Sequence, residues 1–249
     1  MTFDPDAGAA TADEGRPSTA GPDSNPAEHG VEELYLAWQE RLRALTADAS
    51  LLARWQEHRY RFAHRVRVAL LGATAAGSGG VVGPVVYGIY TAAGLCYVGQ
   101  TAEAQRRLGD LPVGERHHVG NTLPPELWER VVVLRWPALL ATVPAAERAA
   151  VQEMGDEVCG LTLEHALQVA TAPLLNLRRR GRGGEWRVRN LAGSGSRGAV
   201  HAGIVPRLCE VALAAWQDLA SARIPDGDVV MDVPAGRIVL PSRISRAAP

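Results

Sequence analysis

The sequence predicts an α/β protein of the α+β type: a small, three-stranded, mainly antiparallel sheet flanked by helices, with an N-terminal helical pair and a C-terminal helix plus hairpin. The first supporting observation is a pair of short apolar runs, 85–90 and 95–98, separated by Ala92-Ala93-Gly94, which is typical of a tight β-hairpin. The second is the order of the elements that follow, namely helix, strand, helix and helix, which favours helices packed on a small sheet. The third is the spacing of apolar residues by 3 and 4 near the N-terminus, which predicts helices.

The N-terminal part contains a polar tail and then two predicted helices. Residues 1–30 hold six acids against Arg16 and almost no large apolar side chains, so we expect a disordered acidic tail. From Val31 the apolar spacing predicts a helical pair over residues 31–71. The apolar face of the first helix comprises Val31, Leu34, Tyr35, Trp38, Leu42 and Leu45, and the buried side of the second comprises Leu51, Leu52, Trp55, Phe62, Val66 and Leu70.

The predicted core spans residues 84–180. After the hairpin, residues 103–108 begin a helix, residues 131–136 form the third strand, which Pro137 ends, and residues 145–158 form a helix. A closing helix follows around 162–168. Residues 181–249 are predicted to be a C-terminal extension that adds an Arg-rich segment, a helix and a terminal hairpin to this core.

Composition restricts the class of protein. The formal charge is −1, and every basic residue is Arg, with 26 Arg and no Lys, so no catalytic step can use a lysine of this chain. The three cysteines are far apart, which excludes a disulfide framework or zinc spacing and predicts buried thiols. The start of the chain lacks the blocks of a signal peptide, and no run of 18 apolar residues occurs, so we expect a cytoplasmic protein without a membrane partner.

The hairpin carries two tyrosine-glycine motifs. Gly88-Ile89-Tyr90 lies in the first strand and Tyr97-Val98-Gly99 in the second, and together they resemble the paired signature of the GIY-YIG nuclease family. Three further residues match the family in order and approximate spacing: Arg107 ten residues after Tyr97, Glu164 early in the closing helix, and Asn176 twelve residues later. The resemblance covers about residues 84–180 and implies a metal-dependent endonuclease.

The resemblance also implies a role for each of these residues. Tyr90 would activate or position the attacking water, Tyr97 would donate a hydrogen bond near the water or phosphate, and Glu164 would hold one divalent cation, Mg²⁺ or alternatively Mn²⁺. Arg107 offers a planar fork of donors to the phosphate, with Arg106 as the alternative if the helix phase differs by one residue. We expect Asn176 to bond backbone around the site and not to take part in the chemistry.

One position departs from the family pattern. Several restriction enzymes of the family have a histidine four residues after the arginine, where this chain has Leu111. His117 and His118 follow a few residues downstream and are candidates to replace it, although adjacent histidines in a polar segment are more often exposed loop residues.

An Arg-rich segment follows Asn176. Arg178, Arg179, Arg180 and Arg182 precede Trp186-Arg187-Val188-Arg189, so an aromatic residue interrupts a dense basic run. We expect the first four arginines to bind nucleic acid, because the run adjoins the predicted active site. The partner is then DNA, and a homodimer would suit a double-strand break, which requires two cuts.

Two rival interpretations remain open. The chain would be a catalytically silent DNA-binding or partner-docking module if it had kept the fold and lost the chemistry. It would be a nucleotide-cofactor enzyme if Gly193-Ser-Gly-Ser-Arg-Gly198, formally a GxGxxG pattern, followed a strand and opened a helix. The intact tyrosine, arginine and glutamate positions favour the nuclease over the first rival.

Overall fold

The structure is a computed structural model that describes residues 26–74, 79–114 and 118–244. The chain divides into two compact units, one up to Trp55 and one from Gln56. Helix α1 (Pro26–Thr46) belongs to the first unit, and helix α2 (Ala49–Leu71) begins in the first and ends in the second. Helix α1 therefore starts inside the stretch predicted to be a disordered tail, and the rest of that tail lies outside the described residues.

The predicted apolar face of α1 is exposed in the single chain. Val31, Leu34 and Trp38 each expose more than half of their surface, and Tyr35 stacks on Trp38 with ring centroids 5.5 Å apart. The buried side of α2 agrees with prediction only in its second half: Phe62, Val66 and Leu70 are buried, whereas Leu51 and Trp55 are exposed.

Five strands form one antiparallel sheet, so the prediction of three strands is too small. The strands are β1 (Val85–Thr91), β2 (Gly94–Thr101), β3 (Arg130–Leu134), β6 (Val230–Val233) and β7 (Gly236–Val239), in the order β2-β1-β3-β7-β6. The C-terminal hairpin, predicted as an addition to the core, is part of the sheet because β7 pairs with β3. Val131, Val132 and Val133 of β3 are fully buried, so their backbone groups need partners on both sides.

A buried ion pair ties the C-terminal hairpin to the end of α2. The Arg237 guanidinium is fully buried and donates to both carboxylate oxygens of Asp232, at 2.8 and 2.9 Å. It also donates to the backbone oxygen of Gly72 at 2.6 Å, just beyond α2. A buried guanidinium needs such partners, because a charge without them is costly to remove from water.

The remaining described elements are six helices, two 3-10 turns and a separate two-stranded ribbon. They are α3 (Ala104–Asp110), α4 (His118–Thr122), α5 (Ala145–Thr171), α6 (Arg197–His201), α7 (Pro206–Ser221) and α8 (Pro241–Ile244), the turns Pro125–Leu127 and Trp136–Thr142, and the antiparallel strands β4 (Arg178–Arg180) and β5 (Trp186–Val188). Helix α5 joins the two helices predicted from the sequence, and Gly155 interrupts it with φ 73° and ψ 166°. None of the described helices is both long and apolar enough to cross a membrane.

Helices cover both faces of the sheet. The end of α2 and α3 pack on one face, to which Tyr87 and Ile89 point, and α5 and α7 pack on the other, to which Val86 points. Side chains alternate between faces along a strand, so neighbours in β1 belong to different cores. Gly88 is needed on the α7 face, because a Cβ there would lie 2.5 Å from the ring of Trp216.

Candidate active site

The β1–β2 hairpin brings two tyrosines together. Tyr87 lies opposite Gly99 in the strand register, and Tyr97 lies opposite Ile89, so both phenols are on the face that packs against α3. Their ring centroids are 6.2 Å apart, and their hydroxyl groups are hydrogen-bonded to each other. A Cβ at position 99 would lie 2.7 Å from the Tyr97 ring and 2.8 Å from the Tyr87 hydroxyl. Glycine at this position therefore provides the space in which the two phenols meet.

Tyr90 is not part of this pair, in contrast to the sequence expectation. Its side chain packs in the core on the opposite face, where its hydroxyl is hydrogen-bonded to Trp216. Tyr90 pairs with Leu95, but Ile89 pairs with Tyr97, so one residue of β2 is extra at this bulge. Without the bulge, Tyr97 would lie opposite Gly88 and share a face with Tyr90, because a one-residue slip exchanges the two faces.

Arg107 reaches the tyrosine pair from α3. Its positive charge counteracts the burial that raises the pKa of Tyr87 and Tyr97, and it acts in the same sense on Glu164. Its Nε atom is buried and has no hydrogen-bond partner among the residues that the structure describes. The neighbouring Arg106 is instead exposed and pairs with Glu103 at 2.8 Å. Arg107 is therefore the arginine of this helix that lies beside the tyrosine pair and Glu164.

Glu164 approaches strand β2 from helix α5. A Cβ at Gly160, one turn earlier, would lie 2.6 Å from the Gln100 amide oxygen, so glycine permits close packing of α5 on β2. Glu164 Oε1 accepts a hydrogen bond from Gln168 Nε2 at 3.0 Å. Burial raises the pKa of Glu164 to about 7, and the charges of Arg189 and Arg107 oppose that rise.

Asn176 fastens the segment after α5 to the edge strand. Its Oδ1 accepts from the Val98 backbone N–H at 2.8 Å, and its Nδ2 donates to the Val98 carbonyl oxygen at 3.0 Å. Val98 follows Tyr97 directly, so this buried amide holds the backbone that carries the phenol. The contact with backbone is of the kind expected from the sequence.

Replacing Asn176 by Ala is expected to lower the free energy of unfolding by about 2 kcal/mol, because the buried Val98 N–H would lose its partner and the Val98 carbonyl oxygen would keep the longer bond from Gln168 Nε2, at 3.3 Å. Chemical denaturation measures this loss. Asn190, whose Oδ1 accepts from the nearby exposed Gly193 N–H at 2.9 Å, supplies the control substitution Asn190→Ala, with an expected change below about 0.5 kcal/mol. Equal effects of the two substitutions would contradict the anchoring role.

A cavity of about 320 Å³ opens beside Glu164. It is lined by Tyr97, Glu164, His165 and Asn176, and by three arginines, Arg178, Arg189 and Arg197. Of the four predicted nucleic-acid-binding arginines, Arg178 reaches this cavity, Arg179 and Arg182 are exposed outside its lining, and the side chain of Arg180 is not described. Arg189 was not among the predicted site residues, although the basic run already contained it.

The residues present fit a single divalent cation. Glu164 is the acidic residue of the cavity lining, and the described residues contain no group of three or more His, Cys, Asp or Glu that could hold a metal alone. Mg²⁺ is commonly bound by one or two carboxylates, with water and substrate phosphate as its other ligands. The raised pKa of Glu164 marks a place where negative charge is disfavoured, and a bound cation would offset that cost.

The position of the family histidine is occupied by a core residue. Leu111 is fully buried in the core that α3 shares with α2. The expectation that His117 or His118 replaces that histidine concerns side chains outside the described part of the chain.

The loop with the GxGxxG pattern lies between β5 and α6. However, β5 is an exposed strand of an antiparallel ribbon, and α6 has five residues. A dinucleotide site requires a parallel strand-helix-strand unit, so this geometry does not favour a nucleotide-cofactor enzyme.

Comparisons of the chain with protein-family models, with curated proteins and with solved structures find no match.

Proposed function

We propose that this protein is a metal-dependent DNA endonuclease that hydrolyses phosphodiester bonds at a GIY-YIG-like site. The observation that carries the proposal is the convergence of Tyr97 from β2, Arg107 from α3 and Glu164 from α5 at one edge of the sheet. These residues are distant in the chain, and each supplies a different requirement of phosphodiester hydrolysis. Their order along the chain is also that of the family motifs.

Hydrolysis joins a water oxygen to phosphorus and breaks the bond between phosphorus and the 3′ oxygen. Arg107 donates to the scissile phosphate and counters the charge that develops in the transition state, a role that its unpaired buried Nε suits. Glu164 would hold Mg²⁺, or Mn²⁺, through a carboxylate oxygen. When bound, the cation polarises the phosphate and stabilises the leaving oxygen.

The two phenols position the attacking water. Burial raises the pKa of both Tyr87 and Tyr97, so in the protein alone both keep their protons at neutral pH. The two hydroxyl groups are hydrogen-bonded to each other, and Tyr97 is free to direct its proton into the cavity when Tyr87 donates to it. Tyr97, which lines the cavity, directs its own hydroxyl to the water or phosphate, and Tyr87 orients Tyr97. The role expected of Tyr90 thus passes to this pair.

The arginines of β4 and of the turn that follows it supply contacts to the DNA backbone. Replacing Arg178, Arg179, Arg180 and Arg182 together by Ala is expected to weaken DNA binding and to reduce its salt dependence, with the slope falling by about one for each phosphate that is no longer neutralised. Fluorescence anisotropy at several salt concentrations measures the slope. The control variant replaces Arg61 and Arg207, two exposed arginines that form ion pairs within their own helices. An unchanged slope in the four-arginine variant would exclude these four residues from the DNA interface.

Incubation with supercoiled plasmid and Mg²⁺ tests the function directly. We expect cleavage that stops when a chelator is added, with 5′-phosphate and 3′-hydroxyl ends. Double-strand breaks without a nicked intermediate would favour a homodimer. Binding without cleavage would favour the alternative, a silent DNA-binding or partner-docking module, to which the buried Leu111 in place of a histidine lends some support.

A further inference from the structure

The cavity beside Glu164 has more room and more positive charge than the scissile phosphate requires. Its volume of about 320 Å³ lies at the lower end of the range of about 300 to 1,000 Å³ for cavities that hold small ligands. Arg178 and Arg189 line it, whereas Arg107 does not. A phosphate held by Arg107 and Glu164 would therefore leave this space and these two arginines to a neighbouring part of the substrate.

Arg189 is held in a fixed relation to the tyrosine site. Its backbone N–H donates to the Leu177 carbonyl oxygen at 2.7 Å, at the base of the β4–β5 ribbon, and its guanidinium donates to the Asn176 carbonyl oxygen at 3.4 Å. Asn176 is in turn bonded to Val98, next to Tyr97. A group bound by Arg189 would thus be placed at a defined distance from the reacting phosphate.

The charge of the cavity suits an anion. Within the described part of the chain, neither Arg178 nor Arg189 has a carboxylate within 4.0 Å, whereas Arg197 is paired with Glu157. Glu164 is the acidic residue of the lining, and Leu161 and Leu175 add apolar surface beside it. The combination of two guanidinium groups with apolar surface matches a sugar-phosphate unit better than an isolated phosphate.

We infer that Arg189, together with Arg178, binds the phosphodiester next to the scissile one, so that the site takes a polynucleotide strand and not a lone phosphodiester. This inference rests on the proposed function, in which Arg107 and Glu164 serve the scissile phosphate. Arg189 then acts through a group that only a strand substrate possesses. Its loss affects substrates according to whether that neighbouring phosphate is present.

The test compares a short DNA oligonucleotide with bis(p-nitrophenyl) phosphate, which has a single phosphodiester. In Mg²⁺, Arg189→Ala is expected to lower kcat/KM for the oligonucleotide by about 10-fold or more, the scale of one charged hydrogen bond. Both substrates are assayed at about pH 9, where Glu164 stays ionised without the charge of Arg189. Hydrolysis of the small substrate should then stay within about 2-fold of the parent, because this substrate has no neighbouring phosphate. Arg189→Lys, which keeps the charge without the planar fork, should recover part of the loss.

Arg187→Ala is the matched control. Arg187 lies on strand β5, two residues before Arg189, outside the cavity lining, and pairs with Glu185 at 2.5 Å, so its loss should leave both rates near the parent values. Equal losses on the two substrates in Arg189→Ala, or equal behaviour of Arg189→Ala and Arg187→Ala, would overturn the inference.

A parent protein that hydrolyses neither substrate would disprove the proposed function and leave the subsite to be decided by binding. Fluorescence anisotropy with the same labelled oligonucleotide, without metal, then compares the two variants. A loss of affinity confined to Arg189→Ala supports the phosphate subsite. Matching affinities in Arg189→Ala and Arg187→Ala exclude it.

Discussion

Replacing Glu164 by Gln is expected to reduce plasmid cleavage by at least about 10³-fold, which corresponds to about 4 kcal/mol of transition-state stabilisation. The amide keeps the shape of the side chain and an oxygen that can accept from Gln168, but it is a poor ligand for Mg²⁺. DNA affinity should change little, since arginine contacts to phosphate dominate binding. Full cleavage by the variant would exclude the proposed mechanism.

The same substitution should stabilise the metal-free protein at alkaline pH. The folded pKa of Glu164, about 7, lies above its usual value of 4.5, so the folded state retains a proton that the unfolded state loses. The stability from this group is complete below pH 4.5 and is lost as the pH rises through about 7. At pH 8 the free energy of unfolding of Glu164→Gln should therefore exceed that of the parent by about 3 kcal/mol, and its melting temperature should be higher. At pH 4 the two melting temperatures should nearly coincide.

The melting experiments on the parent and on Glu164→Gln both contain chelator, so that no bound metal offsets the cost of burying the Glu164 carboxylate. Glu157→Gln provides the control, since Glu157 lies on the same helix and pairs with Arg197 at the surface. The melting temperature of Glu157→Gln at pH 8 should not exceed that of the parent. A parent that is as stable as Glu164→Gln at pH 8 would show that burial does not destabilise the Glu164 carboxylate, and this result would not depend on any nuclease assay.

The sequence predicted the local elements of the core better than their assembly. The hairpin, the third strand and the helix with Glu164 follow from short-range patterns, such as the apolar runs and the 3- and 4-residue spacing. The pairing of β7 with β3 depends on contacts between distant segments, among them Arg237 with the backbone after α2. No local pattern marks an arginine as buried, because arginine is usually a surface residue.

The candidate site shows the same division between local and distant information. Arg107, Glu164 and Asn176 were predicted from their order in the chain, and the structure gathers them around Tyr97. The choice between Tyr87 and Tyr90 depended on one extra residue at the bulge in β2, which the turn sequence does not reveal. Arg189 was not predicted because a basic run does not show which of its arginines lines a cavity.

This division makes the tyrosines the sharpest test of the site. Tyr97→Phe is expected to lower the cleavage rate by at least about 10²-fold, the scale of proton-transfer or water-positioning catalysis, with little change in stability. Tyr87→Phe should lower the rate less, by about 10-fold, because Tyr97 would lose the hydrogen bond that orients it but keep its own hydroxyl. Rates are measured on supercoiled plasmid with saturating Mg²⁺ and corrected for the folded fraction.

Tyr90→Phe is the matched control, because it also removes a hydroxyl from strand β1 but on the opposite face of the sheet. The Trp216 indole would lose its partner, so stability should fall by about 1 kcal/mol while the cleavage rate per folded molecule stays at the parent value. A large rate loss in Tyr90→Phe, with a normal rate in Tyr97→Phe, would reverse the assignment. The active site would then lie on the opposite face of the sheet, where Tyr90 packs beside Trp216 and where the bulge in β2 keeps Tyr97 away from it.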